Sequence, residues 1–379
     1  MAKPQKILYL TGTRADFGLM SSVLHSLNEA DGFSVEVLAT GMHLMPQFGN
    51  TIEQVKQAGF PVHILDAVFA QDSKASMASF LGEVVHRGTS MLAEIQPDMV
   101  LLLGDRAEML AGAIMGAYLY LPTIHIGGGD NTSTIDNSVR HAITRLAHLH
   151  FPATEASRQR LVDSGEDAWR CFNAGAPALD AILQREFEPR EEFFRRMGFQ
   201  SEMPVEVVIL HPESLHEDVA ADQMRLALES AFAEDRQTVV IYPNADAGGR
   251  QMIEVIEGFR GRPGLFIYPS LPYEDYLHVL RHADLLIGNS SSGILEAPSF
   301  GLPVLNLGDR QKGREKAENI LDVPFEAEPI RRGLQKLRND EAFLSLAKEA
   351  NNPYSHGGCG KTILEVLETI EWSDRWLQK

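Results

Sequence analysis

Cysteine is nearly absent: Cys171 and Cys359 are the only two in 379 residues. Two cysteines build neither a disulfide framework nor a Cys/His zinc pattern. Basic residues are also scarce, 34 Lys and Arg against 52 Asp and Glu, for a net charge of −18. So acidic a surface disfavours nucleic acid and anionic membrane as partners. An anionic small molecule would have to be held by local arginines and backbone amides. No apolar run approaches membrane-spanning length. The N-terminus passes from Lys3-Pro4 straight into Ile7-Leu8-Tyr9-Leu10, too short for a signal h-region. The expectation is a soluble, cytoplasmic protein. GxGxxG and HExxH motifs are missing, as are solenoid repeats and low-complexity tracts.

What is present is hydrophobic content of 44%, enough for a large core split over two domains. Short apolar runs alternate with longer amphipathic segments along the chain. Strands are expected at 7–10, 35–39, 99–103, 123–126, 150–152 and 170–173, then at 205–210, 238–242, 265–268, 284–287 and 303–306. Helices are expected between them, among them 18–29, 77–95, 106–118, 136–149 and 155–164. Repeated βα alternation means parallel sheets covered by helices on both faces. The fold class is α/β, with two Rossmann-like doubly wound domains facing a central cleft. The boundaries expected are 1–185 and 186–360, with the charged stretch Arg185–Pro204 as connection and a last helix in 361–379 crossing back onto the first domain. Ligands of such folds bind outside the carboxyl ends of the strands.

One stretch organises the rest, Ile287-Gly288-Asn289-Ser290-Ser291-Ser292-Gly293-Ile294-Leu295-Glu296-Ala297-Pro298. It reads as strand, small-residue turn, then the first turn of a helix beginning near Ile294. Small side chains let a ligand approach the backbone, and Ser290, Ser291, Ser292 and Gly293 offer donors to an anion at a helix start. Glu296 would repel a phosphate, so it suits the vicinal diol of a ribose. An ordinary turn with an N-cap serine fits this stretch equally well.

Other strand ends carry chemistry of their own. Arg14, in the turn after the first strand, is a phosphate contact or a surface ion pair. Asp105 directly follows the apolar run Leu101-Leu102-Leu103, as an N-cap or as a general acid or base. Gly127-Gly128-Gly129-Asp130 ends the next strand, and three glycines in a row suggest a ligand touching the backbone. Asp136 opens the following helix and is placed to pair with Arg140, four residues on. Asp105, Asp130 and Asp136 would line one acidic rim, where close carboxylates divide acid and base roles. His141, His148 and His150 lack the companions of a metal site. In the second half, His211 could donate to a diphosphate or be structural. Asn244-Ala245-Asp246 is a further polar strand end, and Asp309-Arg310-Gln311-Lys312-Gly313-Arg314 is a basic loop in an acidic chain.

Gly12-Thr13-Arg14-Ala15-Asp16-Phe17-Gly18, Gly104-Asp105-Arg106, Arg140-His141-Ala142-Ile143-Thr144, Asn244-Ala245-Asp246, the serine block with Glu296-Ala297-Pro298-Ser299-Phe300-Gly301, and Gly308-Asp309-Arg310 stand in one order along the chain. Together they resemble the UDP-N-acetylglucosamine 2-epimerase family. The resemblance is to its hydrolysing branch, because the non-hydrolysing branch reads GTRPE where this chain has GTRAD. It implies a glycosyltransferase-B-like fold and a nucleotide-linked 2-acetamido sugar as substrate. The reaction implied is elimination of the nucleotide diphosphate to a 2-acetamidoglycal, followed by hydration to the C2-inverted free sugar. No metal or nicotinamide is implied, and a homodimer is. The resemblance implies Asp105, Asp130, Asp136 and His211 as catalytic residues, and Arg14, His211, Ser290, Ser291, Ser292, Gly293 and Glu296 on the nucleotide. Gly128, Gly129, Arg140, His141, Asn244, Asp246 and Arg310 follow as further substrate contacts. This chain departs from the pattern at one place. Gly127-Gly128-Gly129-Asp130 stands where hydrolysing members show His-Gly-Gly-Glu, and the next loop is one residue shorter. That change keeps a 2,4-diacetamido-trideoxy sugar beside N-acetylglucosamine as donor, with uracil or guanine as base. The non-hydrolysing epimerase and a glycosyltransferase on the same fold are the alternatives.

Overall fold

The structure, a computed structural model, describes residues 3–49, 51–232, 235–355 and 358–379. Twelve strands form two six-stranded sheets. The first contains β1 (Gln5–Thr11), β2 (Phe33–Ala39), β3 (Val62–Ile64), β4 (Met99–Leu103), β5 (Thr123–Ile126) and β6 (Leu149–Phe151). The second contains β7 (Val205–Ile209), β8 (Gln237–Ile241), β9 (Leu265–Tyr268), β10 (Leu285–Gly288), β11 (Val304–Leu307) and β12 (Ile320–Val323). Both sheets are parallel, in the orders β3-β2-β1-β4-β5-β6 and β12-β11-β10-β7-β8-β9. Each order reverses direction once, between β1 and β4 and between β7 and β10. Loops leaving the carboxyl ends on either side of such a point diverge and open a crevice.

The central strands are buried on both faces, so they are apolar throughout. Val205–Ile209 is VEVVI, and its one charged residue, Glu206, is paired with Arg236 and Arg338. The core forms one layer on each face of each sheet. In the first domain Ile7, Tyr9, Met20 and Leu24 pack with Cys359, Ile363 and Leu367 of the helix Cys359–Thr369, so the chain's last long helix lies on the first sheet. Beyond it, Arg170 donates to the carbonyls of Arg375, Trp376 and Gln378. His356 and Gly357, which precede that helix in sequence, lie outside the described residues.

Several local expectations are corrected. Residues 170–173 are no strand: Ala168–Arg170 is a 3-10 turn, and only an isolated bridge joins Cys171 to His150. β3 and β12 were not expected, because as half-exposed edge strands they carry His63 and Asp322 and show no apolar run. The first helix starts at Arg14 rather than Gly18, set by a reciprocal capping box between Thr13 and Asp16. The Arg185–Pro204 connection contains the helix Arg190–Met197, which buries Phe193 and Phe194. The helix after the serine turn starts at Ser292, lasts four residues and gives way to a 3-10 turn at Ala297–Phe300. Its dipole is therefore slight, and any anion held there depends on hydroxyls and arginines.

Candidate active site

The two switch points face each other across a cleft of about 300 Å³. The cleft is lined by Arg14, Asp105, Asp130, Asp136, Arg140, His211, Asn244, Ser290, Ser291, Ser292, Glu296 and Arg310 among the residues expected from sequence. Gly128, Gly129, His141, Asp246 and Gly293 do not line it. A Cβ on Gly129 would lie 2.3 Å from the Ser157 carbonyl oxygen, and one on Gly128 3.0 Å from His125 Nδ1. These two glycines serve the approach of one protein segment to another; of the three, Gly127 alone lines the cleft. A Cβ on Gly293 would press on Val304. Asp246 sits behind the wall, accepting from Asn244 Nδ2 at 2.6 Å and lying 3.6 Å from Arg106.

The wall from the first domain is acidic, and Asp105, Asp130 and Asp136 on it each have an arginine. Arg140 is 1% exposed and bonds Asp105. It also donates to the Asp130 carbonyl at 3.0 Å, which ties two strand ends together. The expected Asp136–Arg140 pair is therefore absent, since Arg140 turns inward. Asp136 instead faces Arg310 of the second domain at 3.5 Å. Asp130 accepts from Ser157 Oγ at 2.7 Å and lies 3.7 Å from Arg314 Nε. Asp16, from the GTRADFG turn, is equally buried but occupied structurally. It accepts from the Thr13 amide and hydroxyl, both at 2.8 Å, and from the Thr11 hydroxyl. Burial nonetheless raises its pKa.

Donors enter the cleft from both domains, Arg14 from the first and His211, Arg310 and Arg314 from the second. Arg14 stands at the first position of its helix, and its Nη1 is buried without a hydrogen-bond partner among the described residues. Burial lowers its pKa to about 10, so it remains a cation at neutral pH. Arg314 Nε and Nη1 are likewise buried without a hydrogen-bond partner among the described residues, with Asp130 3.7 Å from Nε. His211 Nδ1 accepts from the Asn244 amide at 3.1 Å. Burial, with Arg310 and Arg106 nearby, pushes its pKa far down, so the ring is neutral and Nε2 carries the proton. Asn289 clamps the switch point: Oδ1 accepts from the His211 amide, Nδ2 donates to the His211 carbonyl, and its own carbonyl accepts from Arg310 and Gln311. Glu296 is 2% exposed, and burial raises its pKa to about 7. Tyr273 and Tyr276 lie nearby with buried hydroxyls, Tyr276 beside Ser292.

Arg106, Arg314, Tyr273, Tyr276 and Asn289 were not singled out from sequence as site residues. Arg314 was legible as part of the basic loop, and the two tyrosines looked like any amphipathic helix. Among the described residues no group of three or more His, Cys, Asp or Glu side chains could hold a metal ion, and no helix is long and apolar enough to cross a membrane. A cleft lined by buried cationic donors and by arginine-paired carboxylates can hold a diphosphate while moving protons at an attached group.

Residues 25–368 match the family model for UDP-N-acetylglucosamine 2-epimerase. The chain is 38% identical to the UDP-N,N'-diacetylbacillosamine 2-epimerase (hydrolyzing) of Legionella pneumophila, over 99% of this chain and 98% of that one. It is 30% identical to the GDP/UDP-N,N'-diacetylbacillosamine 2-epimerase (hydrolyzing) of Campylobacter jejuni, over 89% and 88%. The UDP-GlcNAc 2-epimerase of Neisseria meningitidis, solved bound to UDP-GlcNAc, shares the fold with a TM-score of 0.79 at 19% identity, covering 97% of this chain and all of that one.

Proposed function

The chain belongs to the UDP-N-acetylglucosamine 2-epimerase family, and from that premise we propose that it is a hydrolysing 2-epimerase of a nucleotide-linked 2,4-diacetamido-trideoxy sugar. The observation that carries the reading is the composition of the cleft: Arg14 of the first domain and His211 and the serine turn of the second line it together with the acidic rim. The sugar identity is supported by Gly127, which lines the cleft where an added Cβ would meet nothing closer than Gly104 at 3.9 Å. An imidazole there would fill that space. The Legionella and Campylobacter relatives, by name, act on such sugars.

In this reading the diphosphate lies on Arg14, His211 Nε2–H and the hydroxyls of Ser290 and Ser291. Glu296 accepts from the ribose diol. A rim carboxylate takes the proton from C2 as the C1–oxygen bond breaks. The electron pair of the C–H bond becomes the C1–C2 double bond of the glycal, and the nucleotide diphosphate departs with the bonding pair of the C1–oxygen bond. Water then adds its oxygen to C1, and a proton is delivered to C2 from the opposite face. Asp105, Asp130 and Asp136 divide these proton transfers, and the leaving group's charge is met by fixed donors. We also assign residues 1–185 with 361–379 to one domain and 186–360 to the other, and the enzyme to the cytoplasm.

The test is proton NMR in D2O with UDP-linked 2,4-diacetamido-trideoxy sugar, its GDP analogue and UDP-N-acetylglucosamine in separate tubes. Free C2-inverted sugar bearing deuterium at C2, with released nucleotide, is the expected result. Product still joined to nucleotide would put the protein in the non-hydrolysing branch. Binding without turnover of any donor would remove the epimerase reading.

A further inference from the structure

Two residues outside the cleft converge on Asp105, and nothing in the reaction described above uses them. His125 is the third residue of β5 and is fully buried. Its Nε2 lies 2.8 Å from the Gly104 carbonyl oxygen, the peptide oxygen directly before Asp105. Its Nδ1 lies 3.2 Å from the hydroxyl of Thr144, two turns below Asp136 on the helix Ile135–Leu146. A carbonyl oxygen only accepts, so Nε2 must carry hydrogen. Burial drives the imidazole pKa to about 3, so there is one ring proton to place. Nδ1 is then an acceptor, and the Thr144 hydroxyl donates to it. The carbonyl selects the tautomer, and the threonine hydroxyl satisfies the other ring nitrogen, so the ring is held at both ends.

That carbonyl matters because Gly104 is the hinge of the turn. Gly104 has φ of +80, and its amide donates to the Ile126 carbonyl at 2.9 Å. His125 thus closes a second bond between the same two strand ends, and Gly104, the residue leading into Asp105, is held at both its N–H and its C=O. The same pair supports the next strand end. A Cβ on Gly128 would fall 3.0 Å from His125 Nδ1 and 3.2 Å from Thr144 Oγ1, so the glycine turn lies directly on this pair. Asp105 and Asp130, at the ends of β4 and β5, are both set by it.

We infer that His125 and Thr144 are positioning residues for the reaction: together they fix the Gly104–Asp105 peptide and the Gly127–Gly129 turn so that the rim carboxylates meet the sugar. The inference rests on the reading of Asp105 as a reacting carboxylate. It accounts for the histidine of Ile124-His125-Ile126 and the threonine of Arg140-His141-Ala142-Ile143-Thr144, which the cleft itself leaves unused.

The experiment compares His125→Phe, His125→Gln, Thr144→Val and Asp105→Asn with the parent full-length protein. The readouts are kcat for sugar release, Kd for UDP and circular dichroism. Phenylalanine keeps a ring and removes the donor; glutamine keeps an N–H at similar reach; valine removes only the hydroxyl. A misplacement of a reacting group by about 1 Å costs roughly 100-fold in rate, so His125→Phe is expected to lower kcat by about 10- to 100-fold, with UDP Kd unchanged. Glutamine should recover most of the loss, and Thr144→Val should lie between. A role in packing alone would not separate kcat from Kd and would not be rescued by an amide. If folded His125→Phe keeps its kcat, or glutamine is as slow as phenylalanine, the inference is overturned. If His125→Phe does not fold, Thr144→Val decides: parental kcat overturns the inference and a reduced one supports it. Asp105→Asn separates the layers. Full activity there removes the reading beneath, whereas an inactive Asp105→Asn beside an active His125→Phe overturns the positioning role alone.

Discussion

Glu296→Gln should make the ligand-free protein more stable and a poorer nucleotide binder. The side chain is 2% exposed, and burial raises its pKa from 4.5 to about 7; the Ser292 hydroxyl, which favours the charged form, offsets only part of that. Because the folded pKa lies above the unfolded one, the folded state binds more proton between these values. The contribution of this carboxyl is therefore full below about pH 4.5 and is lost as pH rises through about 7. The size follows from a shift of about 2.5 units at 1.36 kcal/mol each, roughly 3 kcal/mol. Glutamine carries no charge to desolvate. In urea unfolding across pH 5 to pH 9, parent and variant should be close at the acid end. The variant should gain up to roughly 3 kcal/mol at the alkaline end. Calorimetry with UDP should show the reverse order at pH 8, with affinity about tenfold weaker in the variant for want of a carboxylate acceptor. A stability difference that does not change with pH would refute the argument, because it would mean that Glu296 ionises freely in the folded state.

Asp105→Asn should lower turnover by roughly 10²- to 10⁴-fold, the usual loss of a general acid or base, while UDP binding persists; kcat and Kd measured on one preparation check it. Arg14→Met should cost little stability, since Nη1 has no partner among the described residues, but should weaken UDP by about 1.5–3 kcal/mol, read by calorimetry. Gly129→Ala and Gly104→Ala form a matched pair, both left-handed. At Gly104 nothing lies within 4 Å of an added Cβ, so the cost should be the backbone term of about 1–2 kcal/mol. At Gly129 the Ser157 carbonyl oxygen stands 2.3 Å away, so unfolding should show a clearly larger loss.

The fold was legible where burial makes sequence monotonous. Met99–Leu103, Thr123–Ile126 and Leu265–Tyr268 have the bounds read from their apolar runs, because a strand covered on both faces has no reason to carry anything polar. β3 and β12 escaped for the converse reason. Ends of helices depended on caps: Thr13 and Asp16 move the first helix four residues earlier than its apolar spacing suggests. The location of the site was legible too, since the doubly wound pattern says that strand ends carry the chemistry, and Asp105, His211 and Ser290 all stand there.

Partnership was not legible, and the arginines show why. From spacing alone Asp136 and Arg140 are a helical pair, worth a few tenths of a kcal/mol at an exposed site. The fold offers each a better partner at long range. Arg140, almost wholly buried, must have a carboxylate or pay for its desolvation, and the nearest strand end supplies Asp105. Asp136, relieved of Arg140, meets Arg310, 174 residues away in sequence. Arg106 meets Asp246 and Arg314 meets Asp130 by the same logic, each pair joining one sheet's loops to the other's. Such pairs are set by how two separately folded layers come together, and no local pattern encodes that. The glycines after β5 repeat the lesson on a smaller scale. Their need for close approach was readable, but the neighbour they approach is mostly protein: His125 and Thr144 beneath Gly128 and the Ser157 carbonyl against Gly129, with only Gly127 left to the cleft.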